Sequence, residues 1–171
     1  FKRRGTGVTT DDLVTFTPWC YYVCMPEGRE PAPRIELNEQ FRHALQLMEN
    51  TNRSAFVTGR AGTGKSTLLT YFRMNTRKRA AVLAPTGVAA LNVKGQTIHS
   101  FFGFKPNITL DKVRRLRSRG EAKNIYRKLD TIVIDEISMV RADLLDCLDR
   151  FLRLNGPDSE APFGGIQMIF I

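Results

Sequence analysis

Residues 59–66, with the sequence GRAGTGKS, place glycines, a lysine and a hydroxyl side chain at the spacing G-x-x-x-x-G-K-[ST]. An apolar, strand-like run precedes them and a helix-like segment follows, which is the context this motif needs. The glycines let the backbone wrap so that successive N–H groups and the helix N-terminus face a phosphate. Lys65 would reach the β- and γ-phosphates of a nucleotide, and the Ser66 hydroxyl would coordinate Mg²⁺. The predicted nucleotide contacts in this loop are Gly59, Ala61, Gly62, Thr63, Gly64, Lys65, Ser66 and Thr67.

Two adjacent carboxylates, Asp135 and Glu136, follow the apolar run TIVI at 131–134. The carboxyl ends of parallel strands gather at the edge of a sheet where ligands bind, so Asp135 is placed to coordinate Mg²⁺ beside Ser66. Glu136 is placed to orient or deprotonate an attacking water. Taken alone, two acids at a strand end are more often helix caps. Together with the glycine-rich loop they predict a nucleotide-hydrolysing site in which Lys65 and Glu136 are catalytic.

Two further segments, APTGVAA at 84–90 and QTIHSFFGF at 96–104, combine hydroxyls, glycines and aromatic rings. Hydroxyls and exposed backbone N–H groups suit contacts to phosphodiesters, and phenylalanine rings can stack on bases. By residue type alone, the more ordinary interpretation is a turn followed by core aromatics. His99 by itself is more often a hydrogen-bonded structural histidine than a catalyst. Both interpretations stay open from the residues alone.

Short apolar runs alternate with helical segments along the rest of the chain. Runs that are apolar on both faces and separated by helices predict a parallel sheet covered on both sides, an α/β three-layer fold. A first helix is expected from its N-cap Asn38 to Glu49. Apolar residues at i, i+4, i+7 and i+8 from Leu144 predict one stripe of a later helix. The predicted strands are 55–58, 80–84, 132–134 and 166–171, and two further helices are predicted at 66–73 and 143–154.

The composition is that of an ordinary globular domain, with 42% hydrophobic and 25% charged residues. No apolar run approaches the roughly 18 residues of a spanning helix, so no membrane partner is expected. The formal net charge is +9, and residues 105–128 contain nine basic and two acidic side chains. A single basic run is usually a solvated helix face. A second basic run at 71–94 favours a nucleic-acid partner.

The predicted organisation is an N-terminal appendage and linker at 1–34 and one domain at 35–171. The domain is expected to carry a basic helical insertion at about 105–128. Prolines at 26, 31 and 33 break the appendage. Cys20 and Cys24 lack a nearby set of further ligands, so structural or incidental cysteines are favoured over a metal site. Three cysteines in all give no disulfide framework, which predicts a reducing compartment.

Three segments together, GRAGTGKST at 59–67, APTGVAALNVKGQTIHSFFGF at 84–104 and VIDEISMVRADLLDCLDRF at 133–151, closely resemble the Pif1 family of superfamily 1 DNA helicases. The resemblance covers about 36–171 and implies a RecA-like fold. It also implies a motor that uses ATP and Mg²⁺ to translocate 5′ to 3′ on single-stranded DNA and to unwind forked or structured DNA. It assigns Lys65 and Ser66 to phosphate and Mg²⁺, Asp135 to Mg²⁺ and Glu136 to water activation. Gln40 resembles the glutamine that reads adenine, and the positions resembling DNA contacts are Thr86, Gly87, Ala89, His99, Ser100 and Phe101.

The family pattern continues beyond Ile171 with a glutamine sensor, a second RecA-like domain and an arginine finger. The expected fold is therefore a RecA-like domain truncated after its fourth core strand. We expect the 171-residue chain to bind Mg-ATP, to hydrolyse it poorly and to lack unwinding activity, because an arginine finger contributes about 10³ to 10⁵ in rate. The parent is expected to be a monomer inside the cell, either in bacterial cytoplasm or in a nucleus or mitochondrion.

Two alternatives are considered, one a second kind of enzyme and one from another functional class. One is a different P-loop ATPase, such as a recombination or remodelling factor that acts on duplex DNA. The other is a nucleotide-gated DNA-binding module without hydrolysis, which would have no need of a water-activating carboxylate such as Glu136. A preference for single strands over duplex, weakening with salt, would favour the helicase over the first alternative.

Overall fold

A computed structural model describes residues 39–116 and 121–171. The predicted appendage at 1–34, the cysteines within it and the predicted cap Asn38 lie outside the described residues. Where the structure describes the chain, it is a parallel sheet with helices on both faces, as the sequence predicts. No helix in these two ranges is long and apolar enough to cross a membrane.

Five strands form the sheet, in the order β1-β5-β4-β2-β3, and every neighbouring pair is parallel. The four predicted strands are present, although β1 and β5 are shorter than predicted. The sequence did not predict β3, because two residues between two helices are too short to show a periodic pattern. The strands are β1 Ala55–Phe56, β2 Ala80–Ala84, β3 Gln96–Thr97, β4 Thr131–Ile134 and β5 Gln167–Phe170.

Within residues 39–116 and 121–171, seven α-helices connect and cover these strands. They are α1 Glu39–Asn50, α2 Lys65–Asn75, α3 Gly87–Asn92, α4 Ile98–Phe102, α5 Leu110–Val113, α6 Glu121–Lys128 and α7 Ala142–Asn155. Short 3₁₀ turns lie on either side of α7, at Ile137–Met139 and at Pro162–Gly165. The predicted insertion at 105–128 contains helices α5 and α6. It is anchored by Val113 and Tyr126, which are both buried.

Alternate residues of the central strands face opposite sides of the sheet, as the two-residue period of a strand requires. Val82, Val133 and Ile169 pack with the buried side chains of α1 and α2. On the other face, Leu83, Ile134 and their neighbours pack with α4, α5, α6 and α7. Two apolar clusters therefore sandwich the sheet, which confirms the three-layer prediction.

A buried glutamine at the amino-terminal ends of the strands hydrogen-bonds several elements to one another. The Gln167 side-chain amide donates to the carbonyl oxygens of Leu47 in α1 at 3.1 Å and of Arg53 at 2.9 Å. Its carbonyl oxygen accepts from the Thr131 hydroxyl and from the Lys78 ammonium, each at 2.7 Å. Gln167 is 1% exposed. This amide is fully hydrogen-bonded and fixes α1 against the sheet that positions the glycine-rich loop.

Candidate functional site

The loop between β1 and α2 turns sharply at its glycines. Gly62 and Gly64 have φ angles of 78° and 89°, in the left-handed region that favours glycine. A Cβ atom on Gly59 would lie 2.7 Å from the Thr63 hydroxyl oxygen, so a side chain there would displace the loop. The α2 helix begins at Lys65, directly after this turn. The sequence motif therefore forms the predicted loop at a helix N-terminus, where backbone N–H groups favour an anion.

Hydrogen bonds close this loop on itself. The Lys65 ammonium donates to the carbonyl oxygen of Gly59 at 2.7 Å and to that of Arg60 at 3.1 Å. The Thr63 hydroxyl donates to the same Arg60 carbonyl oxygen at 2.8 Å. Phosphate oxygens are acceptors of the same kind and carry more charge. The lysine can therefore exchange carbonyl partners for phosphate without leaving its own loop.

Asp135 and Glu136 lie directly after β4, between the ends of β2 and β5. The Asp135 N–H donates to the Leu83 carbonyl oxygen at 2.9 Å, which continues the pairing with β2. Burial raises the pKa of the Asp135 carboxyl above its usual range. A hydrogen bond from the Glu136 backbone offsets part of this rise, and the Glu136 charge adds to it. The Lys65 charge acts in the opposite direction on that pKa. Glu136 is exposed and has a φ angle of 54°, a left-handed conformation in which non-glycine residues are strained.

One cavity of about 540 Å³ brings the loop and the two carboxylates together. Its size lies within the range of small-molecule sites. Ser66 and Asp135 both line it and offer oxygen atoms, the donor type that Mg²⁺ prefers, and Mg²⁺ commonly takes its remaining ligands from water and phosphate. The residues present therefore fit a magnesium nucleotide. The lining residues are Ala61, Gly62, Gly64, Lys65, Ser66, Thr67, Asp135, Glu136 and Ile171.

Three predicted nucleotide contacts, Gln40, Gly59 and Thr63, do not line this cavity. Gln40 is exposed in the first turn of α1. Gly59 and Thr63 instead shape the loop from behind, through the contacts described above. Conversely, Ile171 lines the cavity without having been predicted. The parallel order of the strands explains this position, because the end of β5 lies between the ends of β1 and β4.

The two segments with candidate DNA contacts follow β2 and β3, which are neighbours in the sheet. The Thr86 hydroxyl accepts from the Ala89 N–H at 3.2 Å and so caps α3. The Thr97 hydroxyl accepts from the Ser100 N–H at 3.1 Å and caps α4. Gly87 and Ser100 are exposed, and His99 is half-buried. These residues lie at the same edge of the sheet as the cavity, since all five strands are parallel.

The phenylalanines of the second segment do not offer stacking surfaces. Phe101, Phe102 and Phe104 are 3%, 4% and 5% exposed. The Phe101 ring packs edge-to-face against Phe102 and Tyr126, and the Tyr126 hydroxyl donates to the Phe101 carbonyl oxygen at 2.9 Å. The expectation that Phe101 stacks on a base is therefore wrong for its side chain, because the ring fills the core. The alternative interpretation, a turn followed by core aromatics, is confirmed for these three rings.

The fold and the site define a P-loop type of nucleotide-binding α/β domain, with its loop, carboxylates and cavity at the carboxyl edge of a parallel sheet. Residues 36–171 match the family model of the PIF1-like helicases, and the chain belongs to that family. The RecA-like fold is shown by the solved relatives as well as by the sheet itself.

Curated relatives include the ATP-dependent DNA helicase PIF1 of Emericella nidulans, 39% identical over 152 residues. The match covers 80% of this chain and 20% of that protein. The ATP-dependent DNA helicase PIF5 of Trypanosoma brucei brucei is 43% identical over 142 residues, covering 78% of this chain and 15% of that one. The chain thus spans a fifth or less of the length of these two relatives.

Solved structures of Pif1 from Bacteroides are similar in fold as well as in sequence. The structure bound to single-stranded DNA superposes with a TM-score of 0.69 at 39% identity, covering 80% of this chain and 32% of that chain. The complex with ADP-AlF3 and single-stranded DNA gives a TM-score of 0.68 at 39% identity, with the same coverage.

Proposed function

We propose that this chain is the nucleotide- and DNA-binding part of an ATP-dependent helicase that moves 5′ to 3′ on single-stranded DNA. The observation that carries the proposal is the cavity in which Lys65, Ser66, Asp135 and Glu136 meet. Its loop and its carboxylates come from distant parts of the sequence, and helices α3 and α4 of the candidate DNA segments begin at the same edge of the sheet. The helicase names of the relatives, and the single-stranded DNA and ADP-AlF3 in solved Pif1 structures, support this assignment.

The chemistry follows from the positions of the four side chains. Lys65 would exchange the Gly59 and Arg60 carbonyl oxygens for the β- and γ-phosphates of ATP. Ser66 and Asp135 would hold Mg²⁺, which neutralises charge on the phosphates. Glu136, exposed at the mouth of the cavity, would orient an attacking water and accept its proton. Its left-handed backbone, with a φ angle of 54°, is a strained conformation of a kind often found at functional sites.

DNA contacts are proposed for Thr86, Gly87, Ala89, His99 and Ser100, through hydroxyls, ring nitrogens and backbone N–H groups at the starts of α3 and α4. Contacts of this kind hold the phosphodiester chain without reading its sequence. Phe101 would support these contacts from the core rather than stack on a base. Single-stranded and forked or structured DNA are the proposed substrates.

Gln40 is proposed to contact the adenine base. Its support is its exposed position in the first turn of α1, a helix held to the sheet by Gln167. It lies outside the cavity lining, so the nucleotide would have to extend from the phosphates towards α1. Replacement of Gln40 by alanine should weaken the preference for ATP over GTP more than it weakens triphosphate binding.

The remaining parts of the motor are proposed to lie in the full-length protein. A second RecA-like domain would close over Lys65 and Glu136 and supply the arginine finger. The 171-residue chain alone is then expected to bind Mg-ATP, to hydrolyse it poorly and to leave duplexes intact. We further propose that the parent acts as a monomer inside the cell.

The first test is steady-state ATP hydrolysis by the full-length protein, with and without single-stranded DNA, together with Glu136→Gln. Strong stimulation by single strands that disappears in Glu136→Gln is the expected result. Equal stimulation by blunt duplex would favour a duplex-acting P-loop ATPase. Nucleotide-dependent DNA binding without any hydrolysis would favour the nucleotide-gated binding module. A Glu136→Gln variant as fast as the unmodified protein would remove Glu136 from its assigned role.

A further inference from the structure

The carboxyl end of α2, the helix that follows the glycine-rich loop, is hydrogen-bonded to the turn between the two candidate DNA segments. Arg73 lies in the last turn of α2, eight residues after Lys65, which is about 12 Å along a helix axis. One of its guanidinium nitrogens, Nη1, donates to the carbonyl oxygen of Val93 at 2.7 Å and to that of Lys94 at 2.5 Å. Those two carbonyls belong to the turn that follows α3 and leads into β3.

This turn is tightly constrained. Lys94 has a φ angle of 50°, in the left-handed region, where a non-glycine side chain is strained. Gly95 packs so closely on β2 that a Cβ atom would lie 2.3 Å from the Val82 carbonyl oxygen. A turn of this shape persists only when its surroundings hold it. The Arg73 guanidinium supplies two charged hydrogen bonds to it, of the kind that contributes more than neutral ones.

The turn lies between the two segments with candidate DNA contacts. Thr86 and Gly87 precede it at the start of α3, and His99 and Ser100 follow it at the start of α4. Between the turn and the nucleotide loop lies a rigid element: Leu68, Leu69 and Phe72 bury one face of α2 against the sheet. A shift of α2 when Lys65 changes partners would therefore reach the turn through Arg73.

We propose that Arg73 is a positioning residue that couples the state of the nucleotide loop to the two DNA-contacting segments. In this proposal Arg73 acts through the carbonyl oxygens of Val93 and Lys94 rather than by binding nucleotide or DNA itself. The proposal rests on the function proposed above, since it concerns the coupling between the same two sites. Loss of Arg73 separates the two activities rather than abolishing either one.

The test measures coupling in the full-length protein with the variants Arg73→Gln and Arg73→Lys. In Arg73→Gln, ATP turnover without DNA and the nucleotide Kd should stay within about twofold of the unmodified protein. The stimulation of turnover by oligothymidine should fall at least about fivefold, the lower end of ordinary coupling between sites. Arg73→Lys keeps the charge and one donor group that can reach a carbonyl, so it should restore part of the stimulation.

Arg77→Gln is the matched control. Arg77 is exposed just beyond the same helix, and its backbone N–H, rather than its side chain, bonds the Glu49 carboxylate at 3.0 Å. Stimulation by oligothymidine should be unchanged in this variant. Normal stimulation in Arg73→Gln would overturn the proposal. So would an equal loss of turnover with and without DNA, because a general structural defect lowers both.

Hydrogen exchange provides a second readout that does not depend on DNA. Binding of a non-hydrolysable Mg-ATP analogue should change amide exchange at residues 93–97 in the unmodified chain. The change should be lost in Arg73→Gln and partly restored in Arg73→Lys. If the unmodified protein shows no stimulation by DNA, the proposed function fails, while this exchange response still decides the role of Arg73. If Arg73→Gln does not fold, Arg73→Met takes its place, since it also lacks a donor for the Val93 and Lys94 carbonyl oxygens. Full stimulation and an unaltered exchange response in folded Arg73→Met would overturn the proposal, and a reduced response would support it.

Discussion

The Lys65 ammonium lies 2.7 Å from the carbonyl oxygen of Gly59, the first residue of its own glycine-rich loop. The ammonium group thereby finds hydrogen-bond acceptors within the same loop that is expected to bind phosphate. Hydrogen bonds of this kind hold the side chain against its own loop, where it lines the cavity. The loop is thus organised for an anion before any anion arrives, which reduces the entropy lost on binding.

Lys65→Ala should weaken ATP binding by at least about tenfold, because hydrogen bonds from a charged donor each contribute about 1.5–3 kcal/mol. The stability of the chain should change little, since the loop is exposed at the sheet edge. Isothermal titration with Mg-ATP checks the affinity, and thermal unfolding checks the fold. Lys105→Ala removes an exposed lysine outside the cavity lining and serves as the control. Unchanged affinity in Lys65→Ala would remove this lysine from the site.

The binding of Mg²⁺ should weaken on acidification at a higher pH than an ordinary aspartate would give. Burial raises the pKa of Asp135, so its carboxylate is protonated earlier as the pH falls. We expect the Mg²⁺-dependent part of the ATP affinity to fall as Asp135 becomes protonated. In Asp135→Asn this part of the affinity should be absent at every pH. Titrations from about pH 4, near the usual pKa of an aspartate, up to about pH 7.5 measure this dependence. A pH profile identical to that of Asp135→Asn would contradict the role of this residue.

The same raised pKa predicts the sign of a stability effect. Between the unfolded value near 3.8 and the raised folded value, the folded chain binds more protons than the unfolded chain. Its free energy of unfolding therefore decreases as pH rises through this window. Asp135→Asn should be more stable than the unmodified chain at neutral pH, because it removes a partly buried charge. Urea unfolding of the nucleotide-free proteins measures this difference, and an Asp135→Asn chain that is less stable at pH 7 would refute it.

Gln167→Leu should destabilise the chain by about 3 kcal/mol, because it leaves buried partners such as the Thr131 hydroxyl without their hydrogen bond. The measurement is the urea midpoint at constant slope. Gln46→Leu, an exposed position on α1, is the matched control and should cost less than about 0.5 kcal/mol. A loss equal to that of the control would show that the four hydrogen bonds contribute no net stability.

Phe101→Leu separates core packing from DNA stacking. The smaller side chain should reduce the free energy of unfolding by about 1–2 kcal/mol, since the ring is buried among Phe102 and Tyr126. Single-stranded DNA affinity of the folded variant should stay within about twofold, because a base stacked on an aromatic ring would contribute about 1–3 kcal/mol. Fluorescence anisotropy with oligothymidine measures it. Tenfold weaker DNA binding with unchanged stability would restore the stacking hypothesis.

The local sequence determined the site's loop and the order of the main elements. Gly62 and Gly64 are needed where the backbone turns left-handed, and Lys65 and Ser66 must follow at the helix start, so a short motif carries its own geometry. The apolar runs of β2, β4 and β5 predicted a sheet covered on both faces, because every side chain of such a run needs to be buried. Each of these features depends on neighbours within a few residues.

Tertiary packing decided what the local pattern left open. The types and spacing of Phe101, Phe102 and Phe104 suit a DNA surface as well as a core, and only the packing of α4 against Tyr126 and Phe151 buried them. Ile171 lines the cavity because β5 lies between β1 and β4, an order that no segment of sequence specifies by itself. The contacts of Arg73 with Val93 and Lys94 join residues 20 and 21 positions apart. Contacts of this length arise from the placement of whole helices on the sheet, where burial of apolar area, and not local spacing, determines which elements meet.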